Sequence, residues 1–372
     1  MHGKLKAGVA LVILLFVGLF GPYISCAADR KAVINLDVRY RWEFQDNFNQ
    51  KYYGKKPPKG SSDDGFLLQR IRLICDLHPI ENIHFSLGMQ DSRAYDVALP
   101  DKAFYKPGLD LEHNPYKDYC EPFDTYVEIK NLLGRSLSVK AGRQTIRYGD
   151  NRIFGPGQWG NTGRYIWDVV KLSYKFSKNF LDIFYGANII HDPHSFSLNY
   201  RHFYEGLAFY SHFLLPLDTT RLYLEPFFAR KWNDHKNYKG EGTLPGEFWS
   251  NFYGFRSYAE LPYGLDYDFT FVWQRGNLGD DDIDAYAFHV LGGHTFRKAD
   301  WTPRISAEFS YASGDDNPKD GERGTFGGVF GARDKMYGRM NLMDWENLRD
   351  AQINLQLNPA EKLSFKAELH KF

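Results

Sequence analysis

The sequence predicts an all-β fold, specifically a transmembrane antiparallel β-barrel of the outer-membrane type. Apolar and polar residues alternate along many segments, which is the period of a β-strand. Aromatic residues make up 17% of the 372 residues, although the mean hydropathy is only −0.49. Beyond residue 21, no run approaches the roughly 20 consecutive apolar residues that a spanning helix needs. Strands with one face toward lipid and the other toward water account for this combination.

The N-terminal residues have the order of a secretory signal peptide. Two lysines precede an apolar stretch over 7–21, and small residues at 25–28 provide a cleavage site. Cys26 leaves a lipoprotein anchor as the weaker alternative. We therefore expect residues 1–28 to be a signal peptide and residues 29–372 to form one outer-membrane β-barrel.

The first predicted strand shows the alternation most completely. One of its faces carries Ile34, Leu36, Val38, Tyr40, Trp42 and Phe44. The other carries Asn35, Asp37, Arg39, Arg41 and Glu43. Similar segments recur at 67–77, 82–90, 267–274 and 304–311. The chain is therefore predicted to be a succession of strands whose two faces differ in polarity.

Short turns alternate with long polar connections between these strands. The predicted long loops lie near 46–64, 94–122, 149–164, 191–203, 231–247 and 313–346. Tight periplasmic turns and extended outer loops are typical of outer-membrane barrels. Aromatic residues near strand ends are expected to form interfacial girdles, namely Tyr40, Trp42, Trp167, Tyr174, Trp249 and Trp273. A secreted β-sandwich is the alternative, but its apolar face would be a mainly aliphatic core.

If the apolar faces meet lipid, the polar faces line the interior. The inward cations predicted by alternation include Arg39, Arg41, Arg70, Arg72 and Lys140. Guanidinium and ammonium groups in a channel wall favour anionic solutes. The alternative is that these charges pair across strands and stiffen a wet interior.

Two groups of motifs resemble the alginate export porin family. The first comprises Ala141-Gly142-Arg143-Gln144, Tyr148-Gly149-Asp150-Asn151-Arg152, Gly155, Trp159, Asn161, Arg164 and Asp168. The second comprises Tyr311-Ala312-Ser313-Gly314-Asp315-Asp316-Asn317, Thr325-Phe326, Tyr337-Gly338 and Trp345-Glu346-Asn347-Leu348. Their joint order extends the resemblance from about Ile34 to the end of the chain. It implies an outer-membrane barrel of about 16–18 strands in its complete form, through which an anionic uronate polysaccharide leaves by an arginine-rich pore.

The resemblance assigns roles to five charged residues of the first motif group. Arg143, Arg152 and Arg164 match its basic positions, and Asp150 and Asp168 are their acidic companions. These residues would line the constriction. The equally weighted alternative is that Arg143–Asp168 and Arg152–Asp150 pairs hold a loop in place.

Glycines in the same motif group favour an inward loop. Gly142 and Gly149 allow sharp backbone bends, and the glycine-rich stretch 155–163 could fold into the pore and narrow it.

The predicted number of strands is about fifteen, whereas bacterial single-chain barrels close with an even number. The last alternating segment ends at Phe372, out of phase with its own apolar face. Because the family resemblance implies further strands, we expect a barrel that is shortened at its C-terminus.

Other chemistry receives little support from the sequence. No G-x-S-x-G or H-E-x-x-H motif is present, and His191 and His194 are interpreted as residues of a solvated loop. The acidic segment 315–322 lacks EF-hand spacing. We expect no cofactor, no metal site and no catalytic step. Lys and Arg (46) balance Asp and Glu (46), so no nucleic-acid partner is expected.

The sequence thus favours a passive outer-membrane porin that exports an anionic polysaccharide such as alginate. Its expected partners are the uronate polymer, outer-membrane lipid and a periplasmic polysaccharide-secretion scaffold. The alternatives are an uptake porin for small anionic solutes and a surface barrel with an adhesive or enzymatic role.

Overall fold

The structure is a computed structural model that describes most of the chain. The described residues are 32–45, 64–106, 111–112, 114–134, 136–157, 160–163, 165–194, 196, 202–217, 220–242, 244–331, 336–338 and 343–372. The predicted signal peptide over 1–28 and Arg164 lie outside these residues.

Almost all regular structure is β. The strands are β1 (Ala32–Gln45), β2 (Asp64–Ile80), β3 (Ile83–Tyr95), β4 (Tyr105–Lys106), β5 (Leu111–Glu112), β6 (Asp118–Pro122), β7 (Thr125–Ile129), β8 (Leu137–Thr145), β9 (Ile166–Phe176), β10 (Asn179–Ile189), β11 (His202–Leu217), β12 (Thr220–Lys239), β13 (Pro245–Glu260), β14 (Leu265–Leu278), β15 (Asp281–Thr295), β16 (Arg304–Ala312), β17 (Glu322–Arg323), β18 (Leu348–Ala360) and β19 (Leu363–Lys371). Three short 3-10 turns cover Asp101–Phe104, Leu132–Gly134 and Pro262–Gly264. Of the described residues, none forms a helix that is long and apolar enough to cross a membrane.

Seventeen of these strands form one sheet of the outer-membrane barrel type, which confirms the predicted fold class. Each long strand pairs antiparallel with its neighbours along the chain, from β1 to β16 and then β18 and β19. The short strands β6 and β7 follow one another along β3. Antiparallel neighbours need only short connections, which is why successive chain segments lie side by side.

The described sheet has two edge strands, β1 and β19. Within the described residues, β1 pairs with β2 alone and β19 pairs with β18 alone. The strands β6 and β7 together span the barrel wall once, and β17 has only two residues. The described strands therefore traverse the wall fifteen times. After an odd number of crossings, β1 and β19 run in the same direction, so an antiparallel ladder cannot join them directly.

The two faces of the sheet differ as the alternation predicts. On β1, Ile34 and Leu36 are 70% and 65% exposed, whereas Arg39 and Arg41 on the other face are partly buried. On β10, Ile183 is exposed and Phe184 is fully buried. One face is therefore an outer apolar surface, and the other faces the interior.

The interior is less polar than predicted. Its buried core contains many aromatic side chains, including Tyr148, Phe154, Trp167, Phe184, Tyr210, Phe227, Phe252, Phe326, Phe330 and Trp345. Trp167 was expected in an interfacial girdle, but it is 1% exposed and packs edge-on against Phe330, with ring centroids 4.6 Å apart. The prediction was wrong because inward-folded loops, rather than water, cover this part of the inner wall.

The segment 231–247, predicted as a loop, is mostly a hairpin. β12 continues to Lys239 and β13 begins at Pro245, with Trp232 opposite Trp249 in the ladder. Lys236 lies 3.5 Å from Glu247, and both side chains are mainly exposed. Because this part of the hairpin has no buried face, its strands lack the apolar alternation that identifies strands elsewhere.

Candidate functional site

Four arginines lie on the inner faces of the first two strands. They are Arg39, Arg41, Arg70 and Arg72. Arg39 stands directly opposite Arg70, and like charges in such a pair need other partners. Arg70 donates to the Asp37 carboxylate at 3.2 Å, and Arg39 donates to the Gly160 carbonyl oxygen at 3.1 Å. The cross-strand repulsion is therefore offset by a carboxylate on one side and a loop on the other.

The remaining two arginines of this group have different surroundings. Arg41 forms an ion pair of 2.5 Å with Glu43, two residues further along the same face. The Arg72 Nε donates to the side-chain oxygen of Gln90 at 2.6 Å. The Arg72 guanidinium also lies over the Phe123 ring, 3.9 Å from its centroid. Arg72 is thus held by a neutral amide and an aromatic ring.

Lys140 lies on the inner face of β8, where its ammonium group is 3.5 Å from the Tyr126 ring centroid. In the part of the chain that the structure describes, no carboxylate oxygen lies within 4.0 Å of the Lys140 ammonium or the Arg72 guanidinium. Both side chains are partly exposed.

Arg143 and Asp168 form a buried ion pair. The Arg143 Nε and Nη2 donate to the two Asp168 carboxylate oxygens, both at 2.8 Å, and Nη1 donates to Glu121 at 3.3 Å. Arg143 is 5% exposed. Asp168 shares its strand face with the exposed Val170, opposite to the inward Trp167. The pair joins opposite positions of β8 and β9.

Asp150 and Arg152 lie in loop A, which we define as the described residues between β8 and β9, namely 146–157, 160–163 and 165. The Arg152 Nε is 3.3 Å from an Asp150 oxygen, and its Nη1 donates to the Tyr337 hydroxyl at 2.7 Å. Burial disfavours the Asp150 carboxylate, but Arg152 and Arg256 hold its pKa below the ordinary value. Arg152 is 3% exposed. Its ion pair with Asp150 lies within loop A.

The N-terminal part of loop A, at residues 148 and 149, packs on the inner wall. The Tyr148 hydroxyl donates to Asp182 at 2.6 Å, and its ring stacks on Tyr210 with centroids 4.2 Å apart. Burial next to Asp182 raises the pKa of Tyr148 well above its ordinary value, so the hydroxyl stays a donor. Gly149 has φ 56°, and an added Cβ would lie 3.1 Å from an Arg256 nitrogen. Glycine is therefore strongly favoured at position 149.

The other end of loop A reaches β2 and β3. The Asn161 side-chain amide donates to the carbonyl oxygens of Gln69, Arg93 and Tyr116 at 2.8–3.1 Å, and it accepts from Arg39 at 3.2 Å. Loop A is thus fixed to the wall on both sides of its own strands. The inward course expected from its glycines is present in the described residues.

A second loop folds inward beside it. We define loop B as the described residues between β16 and β18, namely 313–331, 336–338 and 343–347. Phe330 donates its backbone N–H to the Ile153 carbonyl at 3.0 Å, and its carbonyl accepts from the Gly155 N–H at 3.1 Å. Sequence reasoning missed this contact. The signal was a set of closely spaced apolar residues in this loop, Phe326, Val329 and Phe330, each at most 2% exposed.

The part of the inner wall next to Gly149 of loop A is rich in carboxylates. Arg256 donates to Asp268 and, at 3.2 Å, to Glu225. Glu225 also accepts from the Tyr210 hydroxyl at 2.7 Å and pairs with His212 at 2.8 Å. The charges on this wall are paired, in contrast to Arg72 and Lys140.

The histidine loop differs from its prediction at one residue. His191 is 1% exposed and hydrogen-bonds to the buried Asp118, so it does not belong to a solvated loop. The His194 side chain is 60% exposed. Among the described residues, no three His, Cys, Asp or Glu side chains are grouped so that they could hold a metal ion.

A comparison with sequence families gives a match that covers most of the chain. Residues 30–372 match the sequence family described as alginate export. No curated protein matches the chain. Among solved structures, the chain is similar to OprB of Pseudomonas putida at high pH (TM-score 0.49, 10% identity, covering 91% of this chain and 88% of that chain). It is also similar to OccK8 (OprE) of Pseudomonas aeruginosa (0.44, 11%, 92% and 94%) and to in-vitro folded OmpT of Vibrio cholerae (0.42, 10%, 93% and 88%).

Proposed function

Because this chain belongs to the alginate export family, we propose that it is an outer-membrane channel through which an anionic polysaccharide such as alginate leaves passively. The observation that carries the proposal is the pair of inward cations without a carboxylate partner among the described residues, Arg72 and Lys140. Arg39, Arg41 and Arg70 extend this basic wall along β1 and β2. A solute carboxylate can pair with such cations without displacing an internal acid.

The proposal divides the expected pore-lining residues into two groups. Arg72 and Lys140 act on the solute directly, and Arg39, Arg41 and Arg70 add positive potential to the same wall. The second group, Arg143, Asp150, Arg152 and Asp168, holds strands and loop A in place. The proposal also includes export by a signal peptide at 1–28, contact of the apolar outer face with lipid, and docking to a periplasmic secretion scaffold. It requires no cofactor and no catalytic step.

The test is single-channel recording in a planar bilayer. An oligouronate should block the wild-type current, and a neutral oligosaccharide of equal length should not. Lys140→Met should weaken the block about fivefold, because one partly screened ion pair contributes about 1 kcal/mol. The matched control is Arg275→Met, since Arg275 is paired with Asp284 on the outer face. Equal block by both oligosaccharides, or an unchanged block in Lys140→Met, would contradict the proposal.

A second candidate is an uptake porin for small anionic solutes. The aromatic packing of loops A and B within the interior favours it, because a narrowed passage admits small solutes more readily than a polymer. The two functions differ in the size of the solute that passes. Flux of a monouronate without flux of the oligomer would favour uptake of small anions.

A further inference from the structure

Loops A and B meet through their backbones. Phe330 of loop B donates to Ile153 and accepts from Gly155 of loop A, at 3.0 and 3.1 Å. An added Cβ on Gly331 would lie 1.7 Å from the Arg152 carbonyl oxygen. The two loop segments are therefore as close as neighbouring strands in a sheet, and they leave no space for water between their backbones.

The contact is buried by aromatic rings of the inner wall. Phe154 lies at its centre, with ring centroids 5.8 Å from Phe184, 5.8 Å from Tyr210 and 6.1 Å from Phe227. Phe330 lies 6.1 Å from Phe154 on the loop B side. Rings at these distances pack favourably, so both loops rest on one continuous apolar surface.

One charged side chain links the two loops through their buried interior. Arg152 of loop A forms its ion pair with Asp150 in the same loop. In loop B it donates to the Tyr337 hydroxyl at 2.7 Å, and its guanidinium is 5.3 Å from the Trp345 ring centroid. Because Arg152 is 3% exposed, its charge depends on these partners and not on water. Separating the loops would leave that charge without Tyr337 and Trp345.

From this geometry we infer that Arg152 is a positioning residue that latches loops A and B into a single plug across the channel. The inference rests on the proposed channel function and adds its regulation. The N-terminal part of loop A is fixed on β10 by the hydrogen bond from Tyr148 to Asp182. Its C-terminal part is fixed on β2 and β3 by Asn161. A plug held on both sides narrows the passage while Arg152 keeps loop B attached. Release of the latch lets loop B move and widens the passage.

The first experiment measures open-channel conductance and protein fold in parallel. Arg152→Met keeps the length of the side chain and removes its charge, and we expect its conductance to rise at least twofold. Arg152→Lys should restore part of the closed behaviour, because an ammonium group can still donate to the Tyr337 hydroxyl and interact with the Trp345 ring. Arg275→Met on the outer face is the matched control and should not change conductance. Circular dichroism and heat-modifiable migration should be the same for all variants.

The second experiment locks the plug. Phe154 and Phe330 face each other in a β-bridge, so cysteines at both positions are suitably placed for a disulfide. We would introduce Phe154→Cys and Phe330→Cys together into Arg152→Met, with Cys75 and Cys120 changed to Ser. The oxidised protein should conduct no more than wild type, because the disulfide replaces the missing latch, and reduction should raise its conductance to at least that of Arg152→Met.

The outcomes separate the latch from the channel proposal. Selective block by oligouronate together with unchanged conductance in Arg152→Met would overturn the latch and keep the channel. Equal conductance of the oxidised and reduced disulfide variants would also overturn the latch. A conductance that rises in Arg152→Met but is not blocked by oligouronate would support the latch and contradict the anionic cargo. If neither wild type nor Arg152→Met conducts, both proposals fail.

Discussion

Arg143 and Arg152 belong to the same sequence motif, but each charge has a separate set of partners. Arg143 is held by Asp168 and Glu121 between strands, whereas Arg152 connects two loops. Neither is exposed to a solute in this arrangement. We therefore propose that Arg143 and Arg152 stabilise the fold, and that Arg72 on β2 and Lys140 on β8 select anions.

Removal of Arg143 should lower stability. Arg143→Ala leaves the Glu121 and Asp168 carboxylates without their cation, and breaking a buried pair in this way costs about 3–5 kcal/mol. The free energy of unfolding by urea, measured in detergent micelles, checks this value. The control is Arg275→Ala, whose half-exposed pair should contribute about 1 kcal/mol or less. A loss that is no larger for Arg143 than for Arg275 would show that the buried pair does not stabilise the fold.

The face on which a residue lies could be predicted only where alternation is unambiguous. On β1, it correctly separates Ile34 from Arg39. On β9, Trp167 is apolar and inward while Asp168 is charged and shares its face with exposed Val170. The usual rule inverts there because loop B covers the inner wall next to Trp167. Such a tertiary contact leaves no periodic signal in the strand itself.

At the scale of elements, loop B is the least predictable part of the site. Its apolar residues are spaced irregularly, and their partners in loop A are more than 150 positions away in sequence. The β12–β13 hairpin was missed for the opposite reason, since its exposed end buries neither face. The strands that could be predicted are those with one face on lipid and one inside.

Close contact between the two loops should make Gly331 intolerant of a side chain. Gly331→Ala places a Cβ on the Arg152 carbonyl oxygen, so the backbones must separate. We expect faster cleavage of loop B by added protease and a higher conductance, as for Arg152→Met. Gly292→Ala is the control, because an added Cβ there meets nothing within 4 Å. Equal cleavage rates for the two variants would contradict the close packing of loops A and B.

At the scale of the whole molecule, the sheet separates two environments. Its outer face presents exposed apolar side chains, and its inner wall has a basic sector on β1, β2 and β8 and a carboxylate-rich sector on β10 to β14. Loop A contacts both sectors through Asn161 and Tyr148. A solute carboxylate should follow the basic sector, where Arg72 and Lys140 keep their charges available.

Release of labelled oligouronate from vesicles that contain the purified protein tests whether the protein is an anionic-polysaccharide channel. We predict that the oligouronate leaves faster than a neutral oligosaccharide of equal length. Lys140→Met should reduce this difference in rate, and Arg275→Met should not. Equal release rates for the charged and the neutral oligomer, or retention of both, would contradict an anionic-polysaccharide channel.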